Sequence, residues 1–121
     1  MAKLNFNSIM IGTGQLKKMG MFYEKILEKK SDMAESEWYG WKVGSCFLSI
    51  GAHSEVKGKA KEPQRVILNM ETATVKEEFE RMKAIGAGVV KAPYQMQGVW
   101  IATLSDPDGN YFQLMEPWEG K

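Results

Sequence analysis

The 121-residue chain has one cysteine, one histidine and four prolines. A single cysteine, Cys46, excludes an intramolecular disulfide and any cysteine-built zinc site. It stands in an apolar run, where a thiol acts as a small buried hydrophobe. The single histidine, His53, stands in a polar stretch, so no Ser-His-Asp or Cys-His pairing can be argued. No apolar run approaches the ~20 residues that span a bilayer. The first seven residues lack the apolar core of a signal peptide, so a cytoplasmic protein with no membrane partner is expected. Sixteen basic residues stand against fifteen acidic ones. With no clustered basic face, no nucleic-acid partner is expected. Lys57, Lys59 and Lys61 read as a solvated connector.

What is present is enough apolar sequence, 44%, for one compact domain or two small modules. Residues 3–11 read as a strand. Leu16, Met19, Tyr23, Ile26 and Leu27 then fall on one helical stripe. Short strands over 31–36 and 38–43 and a stronger one over Ser45–Ile50 follow. The order then repeats: a strand over Gln64–Glu71, a helix from Thr74 to a stop at Gly86, a strand from Gly88 that breaks at Pro93, and strands over Val99–Ser105 and Tyr111–Glu116. Thr74-Val75-Lys76-Glu77 reads as a capping box. The pattern predicts module one at 1–52, a linker at 53–63 and module two at 64–118. Gly12-Thr13-Gly14 follows a strand, but the third glycine of a dinucleotide fingerprint is replaced by Lys17 and no parallel-sheet pattern follows.

Asp106-Pro107-Asp108-Gly109-Asn110 joins two apolar strands and has the chemistry of a tight turn. A calcium loop is excluded, because the bidentate Glu of an EF-hand would fall at Pro117. With the following Tyr-Phe-Gln-Leu-Met-Glu, this turn resembles the closing hairpin of the glyoxalase/bleomycin-resistance/dioxygenase (vicinal-oxygen-chelate) superfamily. The stretch Leu16–Leu27, with Phe22-Tyr23 inside it, is similar to that family's first helix. The resemblance implies an α+β fold: paired βαβββ modules forming a curved mixed sheet, helices on the outer face and a ligand site in the concave cleft. A homodimer is implied as well.

Metal-dependent relatives direct His or Glu into that cleft from four strands, because a divalent metal needs converging nitrogen and oxygen ligands at about 2 Å. Carried over, the four positions fall on Ser8, Ser49, Arg65 and Gln113. None is a carboxylate or an imidazole, and Arg65 adds a permanent positive charge. No metal and no cofactor are therefore expected.

Residues two apart share a strand face. Ser8 brings Phe6 and Met10 into the cleft, and Ser49 brings Phe47. Arg65 brings Ile67 and Asn69, and Gln113 brings Tyr111. Ile101 and Thr103 follow from the turn, leaving Trp100, Ala102 and Leu104 under a helix. Phe, Met and Tyr with a few neutral polar groups suit a small-molecule pocket. A half-buried Arg65 is expected to meet Glu71, Glu116 or an anionic ligand. Trp38 and Trp41 read as core or dimer contacts, with the pocket edge as the alternative. The expected function is metal-free small-molecule binding, similar to the bleomycin-resistance branch, with no catalytic residue. The alternatives are a metal-dependent lyase, isomerase, thiol transferase or dioxygenase if the register slips, and an interaction module with a vestigial cleft.

Overall fold

The computed structural model describes residues 3–118. The chain divides into two compact units, one up to Gly58 and one from Lys59. The first holds β1 (Ser8–Thr13), α1 (Leu16–Leu27), β2 (Met33–Glu35), β3 (Trp38–Val43) and β4 (Cys46–Ala52). The second holds β5 (Leu68–Glu71), α2 (Val75–Ile85), β6 (Gly88–Met96), β7 (Val99–Ser105) and β8 (Tyr111–Met115). Each is a βαβββ module with a four-stranded mixed sheet, in the orders β1-β4-β3-β2 and β5-β8-β7-β6. The first and last strands run parallel and the other pairs antiparallel. The fold is α+β, as the doubled periodicity implies. No helix among the described residues is long and apolar enough to cross a membrane.

Each core lies between one helix and one sheet face. In the first unit Met19, Tyr23 and Ile26 of α1 are buried, as are Trp41, Leu48 and Ile50 of the sheet. Tyr23 meets Trp41 with ring centroids 6.4 Å apart. Trp41 is therefore a core residue; its indole Nε1 donates to the Lys29 carbonyl at 3.1 Å. Gly20 lies in the helix because a Cβ there would stand 2.6 Å from the Tyr39 ring. In the second unit Val75, Phe79 and Met82 of α2 are buried, together with Ala102, Leu104, Phe112 and Leu114. Fully burying such side chains contributes about 1.5–3 kcal/mol each.

Four local expectations are corrected. The first strand starts at Ser8 rather than residue 3, because its partner β4 ends in the turn at Gly44-Ser45. The last bond of that ladder is Phe47 N–H to the Asn7 carbonyl, and nothing beyond remains to pair with. The strand expected from Gln64 starts at Leu68, because Pro63–Arg65 wind into a 3-10 turn, a start that proline favours. The Thr74 capping box does not form: Thr74 makes no side-chain cap. Its hydroxyl lies 3.2 Å from that of Thr72, which also accepts the Thr74 N–H. Finally, Pro93 does not end its strand. β6 runs through it at the sheet edge with two register shifts, the setting in which a strand tolerates a missing donor. The helix stop at Gly86 is as expected: φ is +119° and its N–H reaches the Met82 and Lys83 carbonyls.

Candidate functional site: the sheet faces turned away from the helices

The register fixes what each sheet presents opposite its helix. In the first unit Ser8 pairs with Phe47 and Met10 with Ser49. Ser49 pairs with Gly40, Phe47 with Lys42 and Gly51 with Trp38. Ser8, Met10, Phe47 and Ser49 thus share one face, as alternation predicts. Trp38 belongs to it and Trp41 does not. Gly40 and Gly51 make room there. A Cβ on Gly40 would meet the Phe47 and Trp38 rings, and one on Gly51 would meet the Met10 methyl at 2.5 Å. The aromatic and methionine side chains lie down over backbone. Even so, Met10 stays 63% exposed. Phe6 precedes β1 and is 82% exposed.

The second unit presents different chemistry from the same topology. Asn69 pairs with Gln113, and Gln113 with Thr103. They form a row of neutral polar side chains across β5, β8 and β7. The Gln113 amide nitrogen donates to Thr103 Oγ1 at 3.3 Å. Next along the strands, Glu71 pairs with Met115 and Met115 with Ile101. Ile101 and Thr103 are buried even though they face away from α2. Tyr111 pairs with Ser105 at the other end. On the helix side, Trp100 carries the Lys76 ammonium 3.8 Å above its ring, and Ala102 and Leu104 are fully covered, as expected.

The register of this face is pinned by its turn. Asp106 Oδ1 accepts from the N–H groups of Asp108 at 2.9 Å and Asn110 at 3.0 Å. The Asn110 amide nitrogen donates to Asp106 Oδ2 at 3.0 Å. Gly109 takes φ of +83°, which glycine adopts without steric cost. Asp106 and Asp108 are buried, and the Asp106 carboxylate organises the hairpin.

Arg65 is not on this face. It lies in the 3-10 turn with its side chain 75% exposed, and its guanidinium bonds Glu62 at 2.7 Å. The expected partners Glu71 and Glu116 are not used: Glu116 Oε1 instead accepts the Trp100 N–H at 2.9 Å. The two units show which residue occupies the position assigned to Arg65. Ser8 pairs with Phe47, two residues before Ser49. Extending the β5–β8 register by one residue from Leu68–Phe112 sets Ile67 beside Tyr111, two residues before Gln113. The counterpart of Ser8 is Ile67.

Neither face offers a donor set that fits a divalent metal. Ser8 and Ser49 on the first, and Ile67 and Gln113 (already bonded to Thr103) on the second, include no anionic or imidazole ligand. Among the described residues no three His, Cys, Asp or Glu side chains come together as a metal site. His53 lies exposed in the loop after β4, where its Nδ1 accepts the Glu55 N–H at 3.2 Å. The Asp32 carboxylate, just before β2, is displaced from its ordinary range. The Lys42 backbone N–H, and then the Lys29 ammonium, lower its pKa.

A family profile described as a glyoxalase-like domain matches residues 8–115. Three crystal structures show the same fold. A glyoxalase/bleomycin resistance protein/dioxygenase family enzyme from Burkholderia phytofirmans PsJN is 22% identical with a TM-score of 0.78, covering 93% of this chain and 98% of its own. A glyoxalase/bleomycin resistance protein from Albidiferax ferrireducens T118 is 18% identical with a TM-score of 0.76, over the same shares. The fosfomycin resistance protein FosX from Mesorhizobium loti is 13% identical with a TM-score of 0.73, covering 99% and 97%. No curated protein matches the chain significantly.

Proposed function

The chain belongs to the glyoxalase-like domain family of the vicinal-oxygen-chelate superfamily, and from that premise we propose that it binds a small molecule without a metal. The observation that carries the reading is the donor set. At the four positions where metal-dependent relatives hold His or Glu stand Ser8, Ser49, Ile67 and Gln113. With Ile67 in place of Arg65 the second face still offers no metal ligand at that position. No catalytic step is assigned. The proposed contact residues are Ser8, Met10, Phe47 and Ser49 on one face, and Ile67, Asn69, Ile101, Thr103, Tyr111 and Gln113 on the other. Phe6 flanks the first set. Apolar walls with a few neutral hydrogen-bonding groups are the usual composition of a ligand pocket. Bleomycin and fosfomycin resistance proteins share the fold, so drug or metabolite sequestration in the cytoplasm is the form of binding proposed.

Homodimerisation is part of the same proposal. Leu4, Phe6, Met10 and Met33 are 93%, 82%, 63% and 50% exposed. Large apolar side chains left this exposed on one unit suit an interaction site. A second copy is the partner the reading assigns to it.

The test is a thermal-shift screen of aromatic antibiotics and small organic molecules, run with chelator and again with added Mn, Ni, Zn or Fe. The expected result is a stabilising compound that is indifferent to chelation, weakened by Gln113→Ala and unaffected by Arg65→Ala. Stabilisation that requires the metal would overturn the reading.

A further inference from the structure

One end of the second unit's sheet face is shaped for a particular group. Ile101 forms the floor of a depression of about 160 Å³, walled by Val99, Met96, Met115 and Trp118. An apolar cavity of about 150 Å³ takes up a benzene molecule, so the depression has the volume of one six-membered ring. Among the described residues Gln97 is the one other that lines it, and none of the lining side chains is charged. A charged substituent buried there would lose hydration without gaining a partner. Two thioethers and an indole offer the polarisable contacts that aromatic rings favour. Met96 and Trp118 are 46% and 54% exposed, so the opening is presented to solvent. The β6–β7 turn behind it is locked by Gln97 and Gly98, both at positive φ.

The neutral polar row begins one step along the strands. Thr103 and Gln113 lie two residues from Ile101 and Met115, about 6.6 Å along each strand. Their own bond leaves the Gln113 amide oxygen available. Asn69 pairs with Gln113 across the sheet. Its exposed side-chain amide makes no hydrogen bond to any described residue, which leaves both a donor and an acceptor.

We propose that this end of the face is a subsite for an uncharged aryl group whose substituent, after a spacer of about two carbons, carries a carboxamide or hydroxyl that bonds Asn69 and Gln113. The inference rests on the binding reading above and names the class of ligand for that site.

The probe is 3-phenylpropanamide, titrated into full-length protein labelled with 13C at its methionine methyl groups. Met96→Leu and Met115→Leu assign the two reporting signals. A ligand of this size is expected to bind with a Kd of about 1 mM. The Met96 and Met115 signals move, and those of Met10 and Met33 stay still. Propanamide, which lacks the ring, and 3-phenylpropanoate, which replaces the amide by an anion, bind about tenfold more weakly or less. Trp118→Ala and Asn69→Ala each weaken the amide by several-fold with the melting temperature unchanged; both side chains are exposed, so folding does not depend on them. Shifts at Met10 instead of Met96, or equal binding by propanamide, would overturn the subsite. A hit from the thermal-shift screen whose footprint omits Met96 and Met115 would also overturn it and leave the binding reading standing. If no compound binds either face, both fall.

Discussion

The two sheet faces turned away from α1 and α2 come from one topology and carry opposite chemistry. The first unit's face is built on glycine. Gly40 and Gly51 let Phe47, Trp38 and Met10 lie against backbone, and Met10 still remains largely exposed. The second unit's face is built on side-chain bonds. Gln113 holds Thr103, the Asp106 turn fixes the strand ends, and Ile101 is covered to 4% exposure. A βαβββ module therefore fixes where its face lies and leaves its polarity to the sequence. In this chain one face leaves large apolar side chains exposed, and the other holds a neutral polar row by side-chain bonds.

The largest expected effect breaks the second face at its turn. Asp106→Ala removes a buried carboxylate that accepts from three donors, at a cost of about 3 kcal/mol. Urea denaturation should show the loss; a change no larger than that of an exposed substitution would mean the turn does not organise the hairpin. Next is the first unit's reliance on glycine. Gly20→Ala gains about 1 kcal/mol of helix propensity, but its methyl meets the Tyr39 ring at 2.6 Å. We expect a net loss of about 1–2 kcal/mol from overpacking; a more stable variant would show that the ring moves aside freely.

Met10→Lys tests the division of roles between the faces. It should weaken self-association about tenfold or more by light scattering, whereas Gln113→Ala leaves the oligomeric state unchanged. The reverse pattern would exchange the assignments. The smallest effect is acid sensitivity at Asp32. Its pKa is lowered in the fold by the Lys42 N–H at 2.7 Å and by Lys29 at 2.9 Å. Its contribution is thus present above the ordinary carboxylate value of about 3.9, and it is lost as pH falls through the lowered pKa. Asp32→Asn should flatten the acid end of the stability profile slightly; an unchanged profile would show that these exposed bonds contribute nothing.

The sequence carried the last strand's register unusually well, because Asp106-Pro107-Asp108-Gly109-Asn110 ties the backbone to fixed positions. Gln113, Thr103 and Ile101 follow from it by alternation. Ser8 and Ser49 were legible for a related reason: Ile9, Ile11, Leu48 and Ile50 form an unbroken helix-facing set beside them. Arg65 was misplaced because Pro63 winds the chain, and a winding turn changes the phase that alternation assumes. Ile67 emerges as the matching position only once β5 and β8 are paired. Thr74 shows a second limit: a hydroxyl at the capping position has other partners, and Thr72 outcompetes the helix end. Trp41 and Trp38 could not be told apart by pattern alone. Their three-residue spacing puts them on opposite faces of a strand, and the pairing with β4 shows which of the two shares the buried side with Leu48 and Ile50.

The central proposal is that neither Ser8 and Ser49 on the first face nor Ile67 and Gln113 on the second hold a divalent metal. Elemental analysis of purified protein, after incubation with Mn, Ni, Zn and Fe and removal of free ions, tests it most directly. The account predicts far less than one metal per chain for every ion. One tightly held metal per chain, lost on Gln113→Ala, would contradict it.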